Sequence, residues 1–202
     1  MSITDKVLEL LDMGWARRNN TQISLANSRS ATNNVALGRA FAMQLTDVDI
    51  LQFALTLEHL EAAMYTEMLA ANILTGKEKT YFTAFGAAEA AHVAALTDGL
   101  SAAGAEPVEA LASYNFPAFS SRKAILDFAK VAEDLGVGAY QGAAAAITNK
   151  AYLAVAGSIV QVEARHAAIV NILLGQKPAP AAVTSSLTVE EVLAAVNPIL
   201  GA

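Results

Sequence analysis

The sequence predicts an all-α protein whose main body is a four-helix bundle. Hydrophobic residues make up 54% of the 202 residues, which is enough to bury one sizeable core. Glycine and proline are few, at 12 and 5 residues, while alanine and leucine are abundant, and this composition favours helices. From residue 46 onward, four helical segments of about 25 residues would each be about 37 Å long. Short and long connections between them predict two hairpins joined by one crossover.

Residues 1–45 are predicted to form an N-terminal helix and a polar extension. The helix would cover about residues 4–17 and place Trp15 on its apolar face, against the bundle. The pair Arg17-Arg18 is followed by polar residues where an export signal needs an apolar region. We therefore predict no signal peptide and expect a cytoplasmic location.

The first long helix is predicted to begin at Thr46 or Asp47, which suit a helix cap, and to end near Gly76. The second helix would follow the short TGKEK connection and end near Gly104. Because a short connection joins antiparallel neighbours, these two helices should form a hairpin.

The connection between the second and third helices is longer, contains two prolines and has no sustained helical periodicity. It would cross one end of the bundle or run along its side. The third helix is predicted over about residues 121–147 and the fourth over about residues 150–174. The bundle would then occupy residues 46–175.

Residues 176–202 are predicted to be a C-terminal linker followed by one short helix. The linker contains prolines, and the helix lies in SLTVEEVLAAVNPIL, with Ser186 or Thr188 near its cap.

Inside the predicted bundle, one pattern occurs twice. Each copy has a glutamate, a tyrosine seven residues later and a Glu-x-x-His motif about thirty residues after the first glutamate. The copies are Glu58, Tyr65, Glu89 and His92, and then Glu133, Tyr140, Glu163 and His166. Residues three apart share one face of a helix, and the neighbouring residues are mostly apolar, so these faces should point inward. Buried glutamates without partners cost several kcal/mol each, and metal cations would neutralise them.

The order of these residues resembles that of ferritin-like di-metal carboxylate proteins, in which two helices supply Glu and two supply Glu-x-x-His. The stretch from about Leu45 to Leu174, with FALTLEHLEAAMY and EDLGVGAYQGAA, is similar to the desiccation-related branch of that superfamily. The resemblance implies a ferritin-like bundle with one long crossover between its second and third helices. It also implies six metal ligands, with Glu89 and Glu163 each free to bridge two metals: Glu58, Glu89, His92, Glu133, Glu163 and His166.

Oxygen donors with one imidazole per metal suit iron(II) or manganese(II). Two such ions per chain could hold dioxygen or peroxide between them. We therefore expect oxidoreductase chemistry on dioxygen, peroxide or ferrous iron, either ferroxidase-like or catalase-like, with a role in stress or desiccation protection.

A second class of function stays open, namely a non-catalytic structural or stress-protective bundle. Such a protein would have lost the metal or would use it only structurally, with its carboxylates protonated or paired with Arg165 or Lys130. A homodimer is left open, while long extensions at both ends disfavour an iron-storage cage. The net charge of −6 argues against nucleic acid as a partner. Glu and His within the apolar segments argue against a membrane span.

Several neighbouring residues carry open alternatives. Tyr65 and Tyr140 would hydrogen-bond the opposite ligands, carry an electron or simply fill the core. Glu61 lies one turn after Glu58 and is the best substitute ligand, whereas His59 points away from Glu58 and should pack or face solvent.

Other positions on the third helix bear on the same site. Asp127, Asp134 or a backbone carbonyl of a crossing helix would accept a hydrogen bond from the second nitrogen of a ligating histidine. Glycines interrupt the helix just after Glu133, and each costs about 1 kcal/mol relative to alanine. They indicate a close helix contact, which is the favoured interpretation, a local bulge, or room beside the metal site: Gly136, Gly138 and Gly142.

Overall fold

The computed structural model describes residues 45–201, and this part of the chain contains five α-helices and no strand. The helices are α1 (Asp47–Ala70), α2 (Gly76–Ala102), α3 (Arg122–Ala144), α4 (Lys150–Leu173) and α5 (Val189–Leu200). Helices α1 and α2 pack as one hairpin, and α3 and α4 pack as the other. The all-α bundle is therefore confirmed. The predicted N-terminal helix and Trp15 lie outside the described residues.

Two helices begin with the same capping arrangement. The Thr46 side chain accepts a hydrogen bond from the Asp49 N–H, and the Asp49 carboxylate accepts one from the Thr46 N–H. Thr188 and Glu191 repeat this arrangement at the start of α5. Each reciprocal pair satisfies two backbone donors that the first turn leaves free. Of the two residues predicted near the cap of α5, Thr188 is the one that caps it.

The boundary between α1 and α2 differs from the prediction. Helix α1 ends at Ala70 instead of near Gly76, and Asn72 takes a left-handed conformation with φ of 53°. Asparagine tolerates this conformation and so terminates helices. Thr75 is extended, and α2 starts immediately after it, so the GKEK residues belong to the helix and not to the connection. Helices α3 and α4 lie within the predicted ranges.

The bundle has two apolar clusters with a polar layer between them. One cluster is built around residues such as Leu55, Leu100 and Ile159. The other contains the aromatic residues Phe82 and Phe85 together with parts of every long helix. Along each long helix, the buried Glu and His residues lie between the segments that supply these two clusters. The polar layer is therefore shielded by apolar side chains at both ends.

The crossover between α2 and α3 contains no helix, as predicted, and is held against α1 by side chains. Gln52 donates from Nε2 to the Glu106 carbonyl at 2.6 Å and accepts from the Val108 N–H at 2.8 Å. His59 Nε2 lies 3.1 Å from the Val108 carbonyl oxygen. His59 thus packs against the crossover, in agreement with the prediction that it is not directed at the site.

Helix α5 packs on α1 and α3, on the outside of the bundle. Its buried residues Val192, Val196 and Leu200 form a third apolar cluster with Leu57 and Leu60 of α1. The division of the chain into residues 1–45, 46–175 and 176–202 stays a prediction.

The segment before α5 makes a close contact with the glycines of α3. Leu187 donates its N–H to the Gly138 carbonyl at 2.9 Å. A Cβ atom at Gly142 would lie only 1.8 Å from the Leu187 carbonyl oxygen. Close packing therefore accounts for Gly138 and Gly142, but the partner is the non-helical segment before α5 and not a helix as predicted.

Among the described helices, α4 alone has a length and composition that also suit a membrane span. Its most apolar window of 18 residues has a mean hydropathy of 1.3. A third of that window, 33%, is buried inside the bundle. Core helices of soluble proteins share this composition, and Glu163 and His166 lie on the buried face of α4.

Candidate metal centre

The polar layer contains all six residues predicted as metal ligands. Each of the four long helices contributes to it. On α2 and α4, the 3.6-residue period places the Glu and His of the Glu-x-x-His pair on one inward face. The four glutamates are 0% exposed and the two histidines 8% and 5% exposed. They are Glu58 on α1, Glu89 and His92 on α2, Glu133 on α3, and Glu163 and His166 on α4.

These residues form two overlapping groups that could each hold one metal ion. The first group is Glu58, Glu89, His92 and Glu163, and the second is Glu89, Glu133, Glu163 and His166. Within each group, one donor atom per residue lies within 4.8 Å of all the others. Glu89 and Glu163 belong to both groups, which is the arrangement that bridging carboxylates require.

Each histidine directs the same ring nitrogen at several carboxylates. His92 Nδ1 lies 3.1 Å from Glu58 Oε2, 2.9 Å from Glu89 Oε2 and 2.9 Å from Glu163 Oε1. His166 Nδ1 lies 3.0 Å from Glu89 Oε1. It is also 3.5 Å from Glu133 Oε2 and 3.8 Å from Glu163 Oε2. One nitrogen carries at most one proton, so one N–H cannot serve all of these oxygens fully.

Several atoms at the centre have no hydrogen-bond partner within the described part of the chain. They are Glu89 Oε1, Glu133 Oε2, both carboxylate oxygens of Glu163, and His166 Nδ1. Such buried unsatisfied groups are rare and costly in folded proteins. Short separations without hydrogen-bond geometry are expected where lone pairs converge on a common point. The donor set therefore fits a pair of cations.

The two tyrosines of the repeated pattern cross-connect the two halves of the bundle. The Tyr65 hydroxyl on α1 donates to Glu133 Oε1 on α3. The Tyr140 hydroxyl on α3 donates to Glu58 Oε1 on α1. Of the predicted alternatives, hydrogen bonding to the opposite ligands is the one that the structure shows. Each tyrosine holds one carboxylate oxygen and leaves the other, Oε2, facing the centre.

Burial and the charges of neighbouring carboxylates raise the pKa of several acidic groups in and beside the centre of the metal-free protein. Burial raises the pKa of Glu58 to about 8, although contact with His92 opposes this. Burial, reinforced by the charge of Glu163, holds the pKa of Glu133 and of Glu61 well above the usual range. Without cations, these carboxyl groups therefore retain protons where ordinary glutamates do not.

The pKa values of the two histidines and of Glu89 shift so that their charged forms are favoured, as in an ion pair. Burial would lower the pKa of His92, but its contacts with Glu163, Glu58 and Glu89 raise the pKa to about 12. His166 is similarly buried, and its neighbouring carboxylates raise its pKa to about 10. Burial would raise the pKa of Glu89, but the two histidines lower it below the usual value. Protonated imidazoles thus supply positive charge in the metal-free centre.

The structure rules out two of the three acceptors predicted for the second nitrogen of a ligating histidine. Asp127 and Asp134 lie on the exposed face of α3, where they pair with Lys123 and Lys130. Helical periodicity turns both aspartates away from the inward face that carries Glu133, so they cannot orient a histidine.

The basic residues suggested as substitutes for metal also lie elsewhere. Lys130 pairs with Asp134, and the Arg165 guanidinium donates to Gln161 Oε1 at 3.1 Å. Neither residue therefore neutralises the glutamates of the centre.

One residue beside the centre was missed by sequence reasoning. The ring of Phe85 packs on the ring of His166, with 4.2 Å between the ring centroids. Phe85 lies four residues before Glu89 and therefore on the same face of α2, which is the signal that could have identified it. Its contact restricts the orientation of the His166 ring.

Comparisons with known proteins agree with this architecture. The fold is similar to that of a conserved hypothetical protein, rv2844, from Mycobacterium tuberculosis, with a TM-score of 0.60 and 22% identity. The similarity covers 68% of this chain and 96% of that chain, and at this identity it shows the fold alone. A comparison with curated proteins finds no match. Residues 46–176, more than half of the chain, match the ferritin-like domain family. With this match and the bundle described above, the chain belongs to the ferritin-like domain family.

Proposed function

We propose that the protein binds two iron or manganese ions per chain and carries out oxidoreductase chemistry on dioxygen, peroxide or ferrous iron. The observation that supports this proposal best is the overlap of the two donor groups at Glu89 and Glu163. Carboxylates with one imidazole per group match the preferences of these metals. When bound, a pair of such ions would supply electrons and open coordination positions for an oxygen species.

Some side chains of the centre would bind both ions, and others would bind one ion each. Glu89 and Glu163 would bind between the two positions because each belongs to both groups. Glu58 and His92 would complete one position, and Glu133 and His166 would complete the other. Tyr65 and Tyr140 would keep the terminal glutamates oriented through their hydrogen bonds.

The surroundings would keep bulk water away from the centre. The apolar clusters on both sides of the polar layer contain side chains that are almost fully buried, such as Leu55 and Phe82. Exclusion of water strengthens electrostatic interactions inside a site and suppresses side reactions. This shielding supports a catalytic role over simple surface binding of metal.

Elemental analysis is the first test of the proposal. The full chain would be produced with iron and manganese both supplied, and dioxygen and peroxide consumption would be measured on the same sample. We expect about two ions per chain, one for each donor group. Glu163→Ala should abolish tight binding of both ions because this residue is shared between the groups.

Glu61→Ala is the matched control for Glu163→Ala. Glu61 is a buried glutamate of the same layer but belongs to neither donor group. The metal stoichiometry should therefore stay at the wild-type value. Equal and small effects of both substitutions would contradict the ligand assignment. Absence of metal after reconstitution would favour the non-catalytic bundle, and bound metal without turnover would indicate a structural use.

The biological setting is a further part of the proposal. Membership of the desiccation-related branch and a role in stress protection stay predictions from the sequence, and survival of a deletion strain after drying would test them. The cytoplasmic location and the homodimer are also open to direct measurement, by cell fractionation and size-exclusion chromatography.

A further inference from the structure

A cavity of about 130 Å³ lies between α1, α3 and α5, outside the metal centre. Apolar side chains from all three helices line it, among them Leu57 on α1, Ala132 on α3 and Val196 on α5. Two of its lining residues, Val131 and Ala195, are exposed and mark its opening. The cavity therefore connects the outer surface with the interior of the bundle.

Among residues 45–201, Glu61 is the one ionisable side chain that lines this cavity. It is only 5% exposed and belongs to neither donor group of the metal centre. A Cβ atom at Gly136 would lie 3.3 Å from Glu61 Oε1 and 3.9 Å from Glu163 Cγ. Glu61 and Glu163 thus approach the same point of α3, and Glu61 stands between the cavity and the centre.

The absence of a side chain at Gly136 keeps this point open. A methyl group there would press on the Glu61 carboxylate, at a distance tighter than ordinary van der Waals contact. Glycine within a helix costs about 1 kcal/mol relative to alanine. The room at Gly136 therefore accommodates the carboxylate in its position at the wall of the cavity.

The size and the lining of the cavity define what it could hold. An apolar protein cavity of about 150 Å³ stays dry and accepts a benzene molecule. A cavity of about 130 Å³ suits a single ring or a short carbon chain and is far too small for a protein segment. A carboxyl group among apolar walls favours a guest with one hydrogen-bond donor, because at least one of its oxygens accepts a hydrogen bond whether or not the group is ionised.

We propose that this cavity binds a small apolar molecule carrying one hydroxyl or amine group, which Glu61 holds beside the metal centre. This inference deepens the proposed function by naming a substrate class. It rests on the proposed function only in that a molecule bound beside the centre is a substrate if the centre is catalytic. Binding itself requires no metal, so it can be tested separately.

The test uses phenol and benzene as probes of the full-length protein, titrated by calorimetry and by ligand-observed NMR. Both the metal-free and the manganese-loaded protein are measured. We expect saturable binding at one site in both forms. Phenol should bind about tenfold more tightly than benzene, because only phenol donates a hydrogen bond to Glu61.

Two substitutions separate the cavity from its polar group. Ala132→Leu fills the cavity from α3 and should weaken binding of both probes at least tenfold. Glu61→Leu should remove the preference for phenol over benzene while benzene binding persists. Ala154→Leu, which adds the same atoms at an exposed position of α4, is the control and should leave both affinities unchanged.

A second blocking variant covers the case in which Ala132→Leu fails to fold, as judged by circular dichroism. Ala195→Phe places a ring at the exposed opening and should also abolish binding. The inference would be overturned if no saturable binding were found or if binding survived both blocking variants. A preference for phenol that survived Glu61→Leu would also overturn it. If the protein binds phenol but takes up no metal on reconstitution, the cavity site is upheld and the proposed function is rejected. Metal binding without phenol binding would do the reverse.

Discussion

Single residues determine how the terminal glutamates of the centre are presented. Tyr65 and Tyr140 each donate to a glutamate on the helix opposite their own, so the repeated pattern supports itself crosswise. Each hydrogen bond satisfies one oxygen of a fully buried carboxylate. Removing one partner of such a pair costs more than the bond itself contributes, because the remaining group stays buried and unpaired.

Tyr140→Phe should lower the free energy of unfolding of the metal-free protein by about 1–3 kcal/mol, because Glu58 Oε1 would lose its donor. Urea denaturation would measure this loss. Tyr81→Phe is the control, since Tyr81 is only partly buried and stacks on Phe85, outside the centre. Its effect should stay below about 0.5 kcal/mol. A similar loss in both variants would mean that the hydroxyl of Tyr140 has no special role.

At the level of helices and connecting segments, the C-terminal part of the chain completes the site region. Helix α5 forms one wall of the cavity that Glu61 lines. The segment before it is seated on α3 through Leu187, which contacts Gly138 and Gly142. The absence of side chains at these two positions allows a backbone to approach a helix closely. Gly138 and Gly142 therefore attach the segment before α5 to the bundle.

Gly142→Ala should displace this segment, because the added methyl group would overlap the Leu187 carbonyl oxygen. We expect a loss of about 1–3 kcal/mol in stability and faster proteolysis of the linker before α5. Gly157→Ala in α4 is the matched control, since no atom of the described residues lies within 4 Å of the added carbon. This substitution should raise stability by about 0.5–1 kcal/mol. Unchanged proteolysis in Gly142→Ala would contradict the proposed attachment.

Across the whole molecule, the buried charge of the centre links folding to protons and to metal. The folded metal-free protein holds protons on Glu58 up to a pKa of about 8, whereas an ordinary glutamate releases them near 4.5. His92 and His166, with pKa values of about 12 and about 10, also stay protonated above the ordinary value of 6.5. Between the ordinary pKa and the raised pKa of each group, the folded state binds more protons than the unfolded state. Raising the pH through this range therefore destabilises the folded state.

The melting temperature of the metal-free protein should therefore fall by several degrees between pH 5 and pH 8, a loss of at least about 1 kcal/mol. Glu89, with its lowered pKa, acts in the opposite sense, and its contribution is lost only as the pH falls below about 4.5. Thermal melts of chelator-treated protein at several pH values would measure this dependence.

Manganese-loaded protein is the comparison for these melts. Because cations replace protons on the ligands, metal affinity should rise with pH and the loaded protein should keep its stability at pH 8. A metal-free melting temperature that rises with pH would contradict the protonation states of the centre.

Much of the fold and of the candidate site could be predicted because the relevant signals are local. The 3.6-residue period fixes which side chains share a helix face, and the duplicated pattern identified all six residues that the structure brings together. The first helix end was misplaced because the helix ends at Ala70, before the left-handed backbone conformation of Asn72, whereas the sequence analysis extended it to Gly76. Asp127 and Asp134, two of the three predicted acceptors for the histidines, instead pair with Lys123 and Lys130 on the exposed face of α3.

By itself, the sequence determined the all-α class, the order of the helices and the inward faces that carry the glutamates and histidines. These properties follow from composition and periodicity, which act over a few residues at a time. Only the tertiary structure decided that each tyrosine reaches the opposite glutamate, and that Glu61 lines a cavity with one wall from α5 instead of joining the donor groups. Such contacts join segments far apart in the chain, and they depend on how the helices pack, which local patterns do not specify.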